Sequence, residues 1–308
     1  MMLAREFVRN QNARITDFST NEADTPLIVQ FGANNEVDLA RAAKMIMPYT
    51  DGIGLNCGCP IKEQVREGIG AALMTDPERV ASMVRAVKAT CGPEFCVEVK
   101  IRIHSDLQET VRFARLVEDA GADYITVHGR RKTQRSSEPA NWEAIKLIKE
   151  SVKCPVVANG DAFTMDDVNK IVELTGVDGV MSARGILANP ALFSGYNKTP
   201  WGAIELFWDY VTSYGLPFRL TQHHFSEMVE LEFTRKQKRS LNESNNLPEL
   251  LDWFDARFDL KRRGEPGFGE RVEFPWKSTY HERELDNELN ENASLNLASD
   301  LASVHLAS

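Results

Sequence analysis

Residues 95–130 read FCVEVKIRIHSDLQETVRFARLVEDAGADYITVHGR. Two short, β-branched runs, FCVEVKIRI (95–103) and DYITVHGR (123–130), flank LQETVRFARLVEDAGA (107–122), where apolar residues recur every three or four positions. Strand, amphipathic helix, strand is the pattern of a parallel βαβ unit. The alternation extends in both directions. PLIVQFGAN (26–34) and DGIGLNCG (51–58) precede it, and PVVANGD (155–161) and DGVMSARG (178–185) follow. Helical spacing fills 36–47, 77–90, 142–152 and 164–176, the last with Thr164 as N-cap and Gly176 as its stop.

Every strand candidate ends in polar or glycine residues: Gln30, Asn56, Lys100 and Arg102, His128 and Arg130, Asn159 and Asp161, Arg184. A parallel α/β barrel opens all its strand C-termini onto one face, whereas a doubly wound sheet gathers ligand contacts near a single switch point. Six polar strand ends therefore predict an α/β fold of the TIM (β/α)8 type. Eight strands are needed and six are counted. Residues 1–24 read as a short helical stretch, MLAREFVRN, and a polar linker, so the barrel is expected to lack its first two strands and to be incomplete over 1–199. Beyond it, 201–215, 221–242 and 247–258 read as three helices of a small domain over 200–258. Residues 259–308, rich first in charge, Gly and Pro and then in Asn, Ser, Ala and Leu, are expected to be mostly disordered.

The 308 residues are 43% hydrophobic and 26% charged, an ordinary globular composition. No apolar run is long enough to cross a bilayer, and the charged N-terminus has no signal-peptide form. An intracellular protein, cytoplasmic or nuclear, is expected. Thirty-six Lys+Arg against 45 Asp+Glu give a net charge of −9, which argues mildly against nucleic acid, although an acidic protein can carry a basic cleft. Five cysteines are too few for a disulfide framework.

LNCGCP (55–60) places Cys59 in a Gly-Pro turn just past a strand end, where a thiol can serve as acid or nucleophile. No second Cys/His pair follows at ligand spacing, so a metal is not expected. ANGD (158–161) and ARG (183–185) are glycine turns after strands, able to present backbone N–H groups to a phosphate or to act as plain βα turns. Lys100, inside the alternating VEVKIRI, suits an anionic or electron-rich cofactor group, or a Schiff base. His128 ends its strand, and Arg130, Arg131, Lys132 and Arg135 form a basic loop beyond it. Residue chemistry alone supports a phosphate-bearing cofactor or substrate, with an acid at Cys59.

PLIVQFGAN, LNCGCPIKEQVREGIGAALM, VKIRIH, ITVHGR, VVANGD and GVMSARGILANPALF, in this order, resemble the tRNA-dihydrouridine synthases over about residues 1–255, most nearly the eukaryotic branch acting at positions 20a and 20b. The resemblance implies reduction of a D-loop uridine in tRNA, with FMN as cofactor, NADPH as reductant, hydride delivered to C6 and a proton from Cys59 to C5. It implies FMN contacts at Gln30, Asn56, Lys100, His128, Asn159, Gly160 and Asp161, and at Ala183, Arg184 and Gly185. Arg102, Arg130 and Arg131 are the expected substrate contacts, and the helical domain, with TRKQKRS (234–240), is expected to grip tRNA as part of a monomer without metal or membrane. Two departures stand out. The family's first strand and most of its second have no counterpart, and Gly54 stands where the family usually has Asp. A truncated, non-catalytic member unable to hold FMN, or another FMN-barrel reductase of a small substrate, are the alternatives.

Overall fold

A computed structural model describes residues 1–277, and the chain divides into two compact units at Ala183 and Arg184. In the first unit seven strands run parallel: β1 (Met2–Leu3), β2 (Ile28–Gly32), β3 (Gly52–Asn56), β4 (Cys96–Arg102), β5 (Tyr124–His128), β6 (Val156–Asn159) and β7 (Gly179–Met181). They pair strictly in chain order, each hydrogen-bonded to the next. Helices occupy the connections: α1 (Ala4–Arg9) and α2 (Gln11–Asp17), α3 (Glu36–Ile46), α4 (Lys62–Arg66) and α5 (Pro77–Cys91), α6 (Leu107–Asp119), α7 (Trp142–Lys149) and α8 (Met165–Thr175). Sequential order without reversal is the wall of a (β/α)8-type barrel, since a doubly wound sheet changes direction at its switch point. Among the described residues β7 and β1 do not pair.

The N-terminus corrects one expectation. Residues 1–24 contain a strand after all, with Met2 opposite Phe31 and Leu3 opposite Gly32, and the supposed linker holds α2, whose N-cap Asn10 accepts from Asn12 and Ala13. A two-residue strand has no alternation to read, so only its partner reveals it. Elsewhere local chemistry is where the sequence puts it. Thr164 caps α8 in a reciprocal box with Asp167, and Gly176 ends that helix at φ 66°.

Strand pleating decides which residues share a face. On β4, Val97, Val99 and Ile101 are fully buried in the apolar layer that includes Val84 and Val87 of α5 and Phe113 and Val117 of α6. Glu98, Lys100 and Arg102 alternate with them and face the other side. Register extends that face into rows. Gln30, Gly54, Glu98 and Tyr124 align, then Asn56, Lys100 and Thr126, then Arg102, His128 and Asn159. This interior face is polar, which is unusual for strands buried on both sides.

The second unit comprises α9 (Arg184–Ala188), α10 (Trp201–Tyr214), α11 (Phe218–Met228), α12 (Arg235–Asn242) and α13 (Leu247–Arg257). The single helix expected over 221–242 is two, because Thr234 starts a new one through a capping box with Gln237 while Val229 and Phe233 of the break are buried. Residues 259–277 also depart from expectation. They are a strap rather than a disordered tail: Gly202 N donates to Arg271 O at 2.7 Å and Trp201 N to Val272 O at 3.0 Å. Phe274 and Trp276 join a cluster with Trp201, Phe233 and Phe258. Two aromatic anchors in a charged, glycine-rich stretch outweigh its composition. The rest of the expected tail, 278–308, lies outside the described residues.

Glu205, fully buried, organises the strap by accepting from Trp201 Nε1 (2.7 Å), Lys261 N (3.1 Å) and Gly269 N (2.7 Å). Its removal orphans three donors. Glu205→Ala is expected to cost about 2–4 kcal/mol, measured by urea denaturation, and to speed hydrogen exchange at the Lys261 and Gly269 amides.

Candidate active site

Asn56, the last residue of β3, holds the turn that carries Cys59. Its Oδ1 accepts from Gly58 N at 3.1 Å and Cys59 N at 2.9 Å, an Asx turn, and its Nδ2 donates to Gln30 Oε1 at 2.8 Å. Arg102 Nε donates to Gly58 O at 2.8 Å and its Nη1 to Arg131 O at 3.1 Å, tying the turn to the loop after β5. Ala71 N donates to Cys59 O at 2.8 Å. Gly70 makes that return possible: at φ 63°, a side chain there would sit 2.7 Å from Cys59 O. Cys59 remains partly exposed, whereas Cys57 is fully buried and burial raises its thiol far beyond the ordinary range. The two cysteines of CGC thus differ in kind.

Along the interior, Lys100 Nζ donates to Asn159 Oδ1 at 2.7 Å, and Asn159 Nδ2 donates to Met181 O at 2.9 Å. Burial lowers Lys100 to about 8, with Glu98 opposing the shift and Arg102 adding to it. His128, in register with Arg102 and Asn159, is lowered to about 3 by burial and then by Arg102, Lys100 and Arg130. Its imidazole is therefore neutral near pH 7, and its buried Nδ1 has no hydrogen-bond partner. An ammonium, a carboxamide and an unpaired ring nitrogen converge on one face.

Arg130, expected at the substrate, is instead a clamp. Only 2% exposed, its Nη2 contacts Asp161 Oδ1 and Oδ2 at 2.5 and 2.6 Å and its Nε donates to Glu138 O at 2.5 Å. Ala140 N donates to the same Asp161 carboxylate at 2.8 Å. The β5 loop is thereby fastened to the turn after β6, where Gly160 (φ 120°) and Asp161 (φ 61°) adopt the left-handed region. Asp161 is not a glycine, and its paired carboxylate holds it there. The Asp161 side chain, expected at a cofactor, is thus engaged by Arg130, and the turn's free contribution is backbone.

Arg131 is exposed and, with Arg102, His104, Lys132 and Thr133, lines a pocket of about 230 Å³. Ala183 closes the first unit, while Arg184 and Gly185 open α9 of the second. Within TRKQKRS, Lys238 pairs with Glu230 and Arg239 with Glu243, so the run is partly neutralised. The structure therefore gathers Gln30, Asn56, Cys59, Lys100, Arg102, His128 and Asn159. Sequence reasoning missed Gly70 and Glu98. The first is a glycine amid helical residues and so had a signal, whereas Glu98 had only its place on the Lys100 face. Gly54 has its reason here too, because a side chain on it would overlap Glu98 Oε2.

A parallel barrel wall whose strand C-termini carry a thiol and a cationic, hydrogen-bonding face is the arrangement of a (β/α)-barrel enzyme. The chain belongs to the dihydrouridine synthase family, whose model, described as "Dihydrouridine synthase (Dus)", matches residues 1–289. The tRNA-dihydrouridine(20a/20b) synthase (NAD(P)+) of Saccharomyces cerevisiae is 52% identical over 283 residues, 90% of this chain and 77% of that protein. The Schizosaccharomyces pombe protein of the same description is 48% identical, covering 88% of this chain and 83% of that one. A Homo sapiens protein described as tRNA-dihydrouridine(20a/20b) synthase (NAD(P)+)-like is 40% identical over 84% of this chain and 82% of its own length.

His128 supplies a test. Its folded value, about 3, lies below the unfolded value of about 6.5, so the unfolded chain binds the extra proton between them and stability falls as pH drops through that window. The His128 ring signals should not titrate between about pH 5 and 8 in NMR, and His128→Gln should lose less stability than the parent on acidification.

Proposed function

We propose that this chain reduces a D-loop uridine of tRNA to 5,6-dihydrouridine, with FMN as cofactor and NADPH as reductant. The observation that carries this reading is the Asn56-held Cys59 turn standing over the Lys100–Asn159–His128 face, in a chain about half identical to a yeast synthase of that description. The residues fit a flavin. The unpartnered His128 Nδ1 can accept or donate to a ring edge, and Lys100 offers a positive donor to electron-rich flavin atoms. Gln30 and Asn56 border the same face, and the backbone of Asn159, Gly160 and Asp161 offers a phosphate turn.

Bound FMN would supply the hydride for C6 of the uracil after NADPH has reduced it. Cys59 performs the complementary step, passing its Sγ proton to C5 and being reprotonated from solvent. The Asx turn at Asn56 and the Arg102 contact to Gly58 hold the backbone that carries that thiol, so the donor is positioned before the substrate arrives. Arg102 and Arg131 face the pocket beyond β4, where uracil oxygens or RNA phosphate would be met. The helical unit is the proposed tRNA grip, with exposed Arg235 at the start of α12 as a contact.

An absorption spectrum of the purified chain with added FMN tests the cofactor. A free-flavin spectrum after gel filtration would favour a non-catalytic member of the family. Cys59→Ala should abolish dihydrouridine formation while NADPH still bleaches the flavin at close to the parental rate. Loss of bleaching in that variant would move Cys59 from proton donor to a cofactor-holding role.

A further inference from the structure

Glu98 is a carboxyl group sealed inside the strand wall. It is 3% exposed and its Oε1 has no hydrogen-bond partner; burial raises its acid above the ordinary carboxylate range, while the adjacent Thr126 hydroxyl and the Lys100 ammonium favour the ionised form. It lies one pleat below Lys100 on the same face of β4, a separation of roughly 7 Å between backbones. Its register partner is Gly54, and the space a side chain would fill there is taken by Glu98 Oε2. Burying a carboxyl with one oxygen unpaired costs stability.

We propose that Glu98 is a positioning residue that keeps Lys100 charged, acting through space along β4 so that the Lys100 ammonium stays aimed at Asn159 and at the flavin face. This deepens the reading given under Proposed function, and only its flavin arm rests on that reading.

The surroundings single out this pair. The groups facing Glu98 are Lys100 and Cys96 on its own strand, Cys57 after β3, and Tyr124 on β5. Burial raises both thiols and the phenol, so none of them supplies negative charge near neutral pH. Lys100 also faces Arg102 and His128, and Arg102 disfavours its proton. Burial likewise acts against that charge, leaving Glu98, among the described residues, as the one charged group that favours it. Gly54 provides the room. An Asp at position 54 would bring a carboxyl to the same row from β3.

The test titrates Lys100 in the flavin-free full chain by NMR of its ammonium group. A parental midpoint near about 8 is expected, and Glu98→Gln should lower it by about one unit, the effect of removing a nearby opposite charge. An unchanged midpoint in a folded Glu98→Gln protein overturns the proposal. Should that variant not fold, Glu98→Thr, which removes the buried acid outright, carries the same expectation. Adding Gly54→Asp to Glu98→Thr returns a carboxyl to the row and should restore the midpoint; a value left at that of Glu98→Thr would overturn the charge-based account. In the flavin arm, Glu98→Gln should weaken FMN binding about tenfold above the parental midpoint and leave it within about twofold at acidic pH. If the midpoint moves and FMN affinity does not, the coupling of Glu98 to Lys100 stands and the assignment of Lys100 to the flavin fails.

Discussion

Lys100 on β4 reaches Asn159 on β6 at 2.7 Å, across the intervening β5. Two strands apart, these backbones lie almost 10 Å from each other in a flat sheet. A long side chain spanning that gap toward one face needs a wall that curls, and a curled parallel wall turns strand-end polar groups toward a shared interior. The rest of the site follows from this constraint. Asn159 is oriented by the Met181 carbonyl, His128 stands in register between Arg102 and Asn159, and burial holds its ring neutral.

The mouth is built differently from the floor. Its geometry comes from side chains that serve as struts for backbone. Asn56 shapes the Cys59 turn, Arg102 fastens that turn to the β5 loop, and Arg130 with Asp161 fastens the same loop to the β6 turn. The cost of burying Arg130 is met by three acceptor contacts, and breaking such a pair is far costlier than never having it. A loop fixed at both ends can present Arg131 and Lys132 to solvent without being free to wander. Three arginines that look alike in sequence thus divide into a strut for the Cys59 turn, a buried clamp and an exposed side chain.

The legibility of the chain tracks how local each decision is. Thr164 and Gly176 bound their helix as read, because caps act within a turn of the residues they satisfy. Cys59 was recognisable from its Gly-Pro turn at a strand end, and Lys100 from a charge placed where β-alternation had no outward use for it. Met2–Leu3 was not, being too short for any pattern, and 259–277 was misjudged because composition gave no weight to two aromatic anchors far from their partners. The burial and pairing of Arg130 went unread for a related reason. A basic residue in a loop carries no sign of the carboxylate it will meet 31 positions later.

Sequence by itself determined the parallel alternation, the polar strand ends and the thiol at one of them, since periodicity and turn chemistry are properties of neighbours along the chain. Tertiary structure alone decided that Cys57 is sealed while Cys59 is partly exposed, that Arg130 is neutralised by Asp161, and that Glu98 fills the space beside Gly54. Those outcomes depend on burial and on charges brought together by register. Both act through space, and neither leaves a mark on the residues nearby in sequence.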